Sequence, residues 1–289
     1  MLISTETGVF AEHFGNEQTL KILKDAGFTA YDFSMYTLKK EYCLVYYSDY
    51  VEKAKKLRKL ADELGIVCNQ THAPFPSYTD NNIEYNKTIG EYLRRALEVS
   101  GILGAKYCIV HPWNNFSAEQ NAEKVYNPLL PYCKQYNVKI AVENMWNWHE
   151  KENKAKPCAC SLKEDFIKHL SLLDKEWFVS CVDVGHAAMF FEDTTAHDLI
   201  KDMKDSLACL HVHDNDCRYD SHLLPFSGNI DWEKVCKALA DVEYKGDMTF
   251  EACSGIDRMP LELKKQTARY MREIGEYLIE RIKYYSKKP

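Results

Sequence analysis

The chain has 289 residues, 46% hydrophobic and 28% charged, and its 37 basic and 43 acidic side chains leave a net charge of −6. This composition excludes the disordered and fibrous classes and allows a large globular core. The basic residues are dispersed rather than gathered into a stripe, which disfavours a nucleic-acid partner, and no apolar stretch approaches the length of a membrane span.

In chain order, short apolar runs rich in β-branched residues alternate with longer segments of helical periodicity. The run 2–5 precedes a helix over 17–25, and 30–33 precedes 50–64. The run 66–69 precedes 84–103, 107–110 precedes 119–136, and 139–142 precedes 162–173. Then 178–182 leads to 196–204, 208–212 to 232–239, and 248–250 to 261–282. In the second helix Leu57, Leu60, Ala61 and Leu64 form one apolar stripe, and Asp231 is placed to cap the helix that begins at Trp232. Eight strand-then-helix units without a Pro/Gly/Ser-rich linker predict an α/β fold, a single (β/α)8 TIM barrel spanning 1–289 as one domain. The structural alternative, a doubly wound open sheet, normally carries a glycine-rich phosphate turn after its first strand, and Thr5-Glu6-Thr7-Gly8 does not supply one.

Eleven cysteines are an odd number, and Cys68, Cys108, Cys181, Cys209 and Cys253 fall in apolar, strand-like runs, so free thiols rather than a disulfide framework are expected. Cys158-Ala159-Cys160 has neither zinc-ribbon nor redox spacing. The start MLISTE lacks the basic and apolar regions of a signal peptide, and a cytoplasmic protein is expected.

In a barrel, functional side chains stand where strands pass into the following loops. The third run is followed by Thr71-His72-Ala73-Pro74, the fourth by His111-Pro112-Trp113 and the fifth by Glu143-Asn144. The sixth is followed by Asp183-Val184-Gly185-His186, the seventh by His211 and then Asp220-Ser221-His222, and the eighth by Glu251. In HVHDND, His211 and His213 share one face of the strand end. Taken singly, each has an ordinary structural reading. Together, five histidines and four carboxylates at one barrel mouth would be hard to desolvate without cations, so a metal centre is expected. His13, His149, His169 and His197 have no such partner pattern and are set aside.

The segments THAPF (71–75), VHPW (110–113), VEN (142–144), VDVGHA (182–187), HVHDND (211–216), DSHLLPFSGNIDW (220–232) and FEA (250–252) together resemble the xylose-isomerase-like TIM barrels, which include sugar and sugar-phosphate isomerases and epimerases and endonuclease IV. The resemblance implies a central metal site of Glu143, Asp183, His211 and Glu251. From the endonuclease IV branch it implies that His72 and His111 join Glu143 around a second metal, and that His186, Asp220 and His222 hold a third. The expected cofactor is therefore one to three divalent ions per chain, zinc or manganese, which oxygen and imidazole ligands suit equally. The chain departs from the family at Pro225-Phe226-Ser227-Gly228, where many relatives carry PGxG.

Two chemistries use these ligands: proton transfer next to a sugar carbonyl, with Glu143 and Glu251 as the acid/base pair, and metal-assisted hydrolysis of abasic DNA. Phe75, Trp113, Trp146 and Trp148 are candidates to wall a small sugar pocket, and Arg218 is a candidate to meet a substrate hydroxyl or phosphate. The polar segment 147–156, NWHEKENKAK, has the length of a lid. These features favour a small sugar over nucleic acid as partner. They leave open whether the chain works as a homo-oligomer.

Overall fold

A computed structural model describes residues 1–190 and 194–287. Eight parallel strands carry the core: β1 (Ile3–Thr5), β2 (Ala30–Ser34), β3 (Val67–His72), β4 (Tyr107–Val110), β5 (Lys139–Glu143), and, after the short strands β6 (Asn147–His149) and β7 (Lys154–Lys156), β8 (Phe178–Asp183), β9 (Leu207–His211) and β10 (Met248–Phe250). A continuous parallel ladder runs β2-β3-β4-β5-β8-β9, and β1 pairs with β10. Two contacts close the ring. Glu6 bridges Asp32 with Thr7 N–H donating to Asp32 O at 3.0 Å, and Val212 bridges Phe250 with Val212 N–H donating to Thr249 O at 2.8 Å. The result is the expected TIM barrel, with the helices outside.

Residues alternate in and out along each strand. Val110, Ile140, Val142, Val182 and Leu210 belong to the large core between strands and helices, whereas Ile109, Ala141, Cys181 and Cys209 form a separate cluster inside the barrel. One step further along the inward face come His111, Glu143, Asp183 and His211, so the period that buries the inner cluster also aims the polar side chains into the mouth.

Local signals set the helices. Tyr50–Leu64 ends at Gly65, whose φ of 63° is the left-handed cap, and Asp231 accepts from Lys234 N to start Trp232–Asp241. The helix expected over 119–136 is broken into Ala118–Asn121, a wide turn at Ala122–Tyr126, a tight turn at Asn127–Leu129 and Leu130–Tyr136. Pro128 and Pro131 lack the N–H that a regular helix would need there. Cys253 does not lie in a strand but begins the short helix Cys253–Asp257, because the eighth strand stops at Phe250. All eleven cysteines are free thiols. Segment 147–156 is a hairpin: β6 and β7 pair antiparallel from Asn147–Lys156 to His149–Lys154. No helix among the described residues is long and apolar enough to cross a membrane.

The helix Lys264–Ser286 packs closely over the β1–β10 seam. A Cβ on Gly275 would stand 2.9 Å from both Ile3 Cγ2 and Phe250 Cε2. Gly275→Val should overpack this seam and cost about 1–3 kcal/mol, read as a lower urea midpoint with an unchanged slope.

Candidate metal centre at the barrel mouth

Eight of the nine candidate ligands are brought by the ends of strands β3, β4, β5, β8 and β9 and the residues just after them, with Glu251 following β10, or by the 214–222 loop. The ninth, His186, stands in the helical turn Val184–Ala188 after β8. His72 Nε2 faces His111 Nε2 at 3.0 Å, and His111 Nε2 lies 3.0 Å from Glu143 Oε2. His211 Nδ1 contacts Glu143 Oε1 at 3.0 Å, Glu251 Oε2 at 3.2 Å and Asp183 Oδ2 at 3.9 Å. Asp220 Oδ2 lies 3.0 Å from His222 Nε2 and 3.4 Å from His186 Nε2. At the mouth, three donor groups thus have ligand atoms within 4.8 Å of one another: His72, Glu143 and His211; Glu143, Asp183, His211 and Glu251; and His186, His213, Asp220 and His222.

The outer nitrogens of three of these rings are already committed. His72 Nδ1 donates to Ala73 O (2.9 Å), His186 Nδ1 to Asn144 O (2.9 Å) and His222 Nδ1 to Glu251 O (2.6 Å). A ring with its Nδ1 proton on a main-chain carbonyl presents the Nε2 lone pair inward, which is how metal-binding imidazoles are oriented. His72 and His111 then point two Nε2 atoms at each other. Only a proton or a cation between them makes that contact favourable. Asp220 Oδ1 and His213 Nδ1 are buried with no partner. The donor set therefore fits divalent cations.

His213, not among the expected ligands, is fully buried, with Nε2 3.0 Å from Asp183 Oδ1 and 3.7 Å from Asp220 Oδ1. Its ring stacks on His222 with centroids 4.0 Å apart. The two-residue step from His211 is the signal that finds it. Glu6 is a second addition: the step from Ser4 turns it inward, where it accepts from Ser34 Oγ, Tyr36 Oη and Gly8 N. Burial pushes its carboxyl up to about 7 against those donors. Asn144 locks the β5–β8 ends together, accepting from Asp183 N at 2.7 Å and donating to Asp183 O at 2.9 Å.

The mouth is a cavity of about 410 Å³ whose walls include Phe75, Trp113 and Trp146. Phe75 stacks on His111 with centroids 4.7 Å apart, and Trp146 Nε1 donates to Asp220 Oδ2 at 3.1 Å. Trp113 Nε1 is buried with no partner. Trp148 stacks instead on Tyr219 beside the hairpin. The structure does not bring Arg218 to this cavity. Its guanidinium donates to Asn153 O at 3.3 Å and borders a separate cavity of about 540 Å³ against the hairpin. At Phe226 the backbone takes φ 71°, the left-handed conformation that glycine adopts freely, so the turn is formed without the family's glycine. Of the histidines set aside, His169 is buried near Cys160 and Asp165, but Nδ1 donates to Asp165 O at 2.8 Å and Nε2 lies 3.1 Å from Asn121 Nδ2, which leaves no ring nitrogen for an ion.

The metal-free electrostatics follow from these distances. Burial disfavours charge on Glu143, yet His211 and His111 beside it hold its carboxyl well below the usual range. Burial likewise opposes protonation of His186, but Asp183 and Asp220 raise it to about 10. His211 and His222 are also raised well above the ordinary value, against burial, the first by the Cys181 sulfur with Glu251 and Glu143, the second chiefly by Asp220.

Cation uptake at pH 7 must therefore expel protons from these rings. Titration calorimetry of metal-free protein with zinc, in buffers of different ionisation enthalpy, should show net proton release, and affinity should rise with pH until His186 is neutral. Without metal, the stabilisation from the raised His186 is complete below its ordinary 6.5 and is lost as pH climbs through about 10.

Gly185 offers a second check. A Cβ there would lie 2.0 Å from His213 Cε1. Gly185→Ala should displace His213 from Asp183 and lower both zinc stoichiometry and thermal midpoint, whereas Gly90→Ala, with nothing within 4 Å, should leave zinc stoichiometry unchanged.

Comparison with known proteins agrees with this architecture. A family model for the xylose isomerase-like TIM barrel matches residues 20–274. The uncharacterized protein y4fM of Sinorhizobium fredii is 24% identical over 225 residues, 67% of this chain and 69% of that protein. Among solved structures, a D-tagatose 3-epimerase-like protein superposes with TM-score 0.75 at 18% identity, covering 98% of this chain and 99% of that one. The IOLI protein, solved with a bound zinc atom, superposes with TM-score 0.71 at 16% identity over the full length of both chains. The family model spans most of the chain and the solved structures share its fold from end to end, so the protein belongs to the xylose isomerase-like TIM barrel family.

Proposed function

We propose that the protein is a metal-dependent isomerase or epimerase of a small sugar or sugar phosphate, working by proton transfer next to a carbonyl. The observation that carries this reading is the placement of Glu143 and Glu251. They come from β5 and from the end of β10, contact His211 Nδ1 at 3.0 and 3.2 Å, and both line the mouth cavity. Two carboxylates on separate strands can reach a bound sugar carbon from different sides. Glu143, Asp183, His211 and Glu251 would hold a divalent cation, which would supply the polarisation of adjacent carbonyl and hydroxyl oxygens that acidifies the C–H between them. Glu143 and Glu251 would remove and return the proton, and the imidazoles beside them, His211 foremost, hold both carboxylates in the ionised form that a base requires. Phe75, Trp113 and Trp146 offer apolar faces to sugar C–H groups. The cavity falls within the roughly 300–1,000 Å³ of small-molecule sites. The names of the fold neighbours, a tagatose epimerase-like protein and a zinc-bound relative, are in keeping with this reading.

A second reading has its own support. His72 with Glu143 and His211, and His186 with His213, Asp220 and His222, add two donor groups beside the central one, more than proton transfer needs. Several cations side by side suit hydrolysis of a phosphodiester, as in abasic DNA. Against it stand the net charge of −6 and the lack of a basic stripe, since backbone neutralisation dominates DNA affinity.

Protein loaded with zinc or manganese, incubated in deuterated water with ketoses, aldoses, inososes and their phosphates, should place deuterium at one carbon beside the carbonyl of a substrate. Glu143→Gln and Glu251→Gln should each lower that rate by about 10²–10⁴-fold. Metal content is measured alongside, to separate lost acid/base chemistry from lost metal. Efficient nicking of a duplex with one abasic site at low salt, with no deuterium entering any sugar, would replace the first reading by the second.

A further inference from the structure

Barrel interiors are ordinarily filled by branched apolar side chains. Beneath the mouth of this one, Ile109, Ala141, Cys181 and Cys209 keep one side apolar, while Ser4, Asp32, Gln70 and Thr249, all buried, occupy the other. These polar groups form a chain. Ser4 Oγ donates to Thr249 Oγ1 at 2.9 Å, Thr249 Oγ1 to Gln70 Oε1 at 3.3 Å, and Gln70 Nε2 to Asp32 Oδ2 at 3.0 Å. The chain ends on a carboxylate that is 1% exposed and whose Oδ1 has no partner. A buried carboxylate with one amide donor is costly, and the fold must obtain something for it.

What stands above Asp32 is His211. The Nδ1 side of its ring faces Glu143, Glu251 and Asp183, and its Nε2 is buried without a hydrogen-bond partner, 3.6 Å from Asp32 Oδ2. His72, His186 and His222 give their outer nitrogen to a main-chain carbonyl; His211 turns its own toward a carboxylate. Once Nδ1 offers its lone pair to a cation, the ring proton must sit on Nε2, and a buried N–H needs an acceptor. A shift of about half an ångström closes the gap to hydrogen-bond range.

We propose that Asp32, itself held by Gln70, is a positioning residue for His211: its carboxylate accepts a hydrogen bond from His211 Nε2–H and so fixes the tautomer and angle at which the ring meets the central metal. The inference rests on the metal reading above, and the experiment separates the two. Zinc affinity is measured by chelator competition on wild-type protein, Asp32→Asn and Ser4→Ala. The last removes a bond from the same polar chain without touching Asp32 or His211. Asp32→Asn should weaken zinc about 10–100-fold, the usual effect of losing such a partner. Ser4→Ala should leave zinc affinity unchanged even if its thermal midpoint falls. Equal zinc affinity in Asp32→Asn and wild type overturns the proposal and spares the metal site, whereas wild-type protein that takes up neither zinc nor manganese overturns both. Should Asp32→Asn fail to fold, nitrogen-15 histidine spectra of zinc-loaded wild type decide. His211 should carry its proton on Nε2, slow to exchange with solvent, and a rapidly exchanging or absent Nε2 proton overturns the proposal.

Discussion

A carboxylate buried as completely as Glu143 keeps its charge only because imidazoles surround it. Desolvation alone would neutralise it, and the contacts of His111 and His211 at 3.0 Å reverse that outcome. The same balance is repeated around Asp220, which lies between His186 and His222. Each carboxylate holds its histidines and each histidine permits its carboxylate, so the mouth behaves as one electrostatic unit rather than a set of independent ion pairs. Removing a single member of such a unit leaves a buried charge without compensation, which is far more damaging than losing a surface pair.

The barrel makes this concentration of charge tolerable. Its strands are stitched by main-chain bonds and their outward faces are anchored in a large apolar core, so the strand ends are held without help from the polar side chains they carry. Asn144 extends that stitching one residue beyond the ladder by joining the β5 and β8 ends through two bonds to Asp183. Rigidity below and paired charge above give a site whose geometry precedes its ligand. That is the condition for a cation to be bound at little reorganisation cost.

Access is shaped by elements outside the barrel ladder. The β6–β7 hairpin stands where a lid would, and the Trp148–Tyr219 stack ties it to the loop that bears Asp220 and His222. His222 itself sits at φ 44°, an uncommon conformation for a side chain with a Cβ, held by its bond to Glu251 O. The loop thus spends backbone strain on aiming one imidazole, and the hairpin leaves Arg218 engaged with Asn153 instead of the mouth.

Strand ends and their inward polar residues were legible in the sequence because two periodicities act locally: apolar residues every second position in strands, and one stripe in helices. That is why His72, His111, Glu143, Asp183, His211 and Glu251 stand out as strand-end residues once the barrel rhythm is recognised, and why His213 is within reach by the step of two from His211. Other features were not legible. The break at Pro128 and Pro131 depends on how the chain relieves a missing N–H against its neighbours, and the mostly polar NWHEKENKAK segment carries no apolar alternation to announce that its two arms pair. Asp32 reads as one acid in an apolar strand, and its meaning comes from Gln70 and His211, 38 and 179 residues away in sequence. The sequence by itself determined the barrel, the mouth and the residue types gathered there, because these follow from local pattern and repeated order. Which nitrogen faces which oxygen, and that Arg218 turns away, were decided only when the tertiary fold brought polar atoms distant in sequence within about 3–4 Å, the range over which hydrogen bonds and ion pairs act.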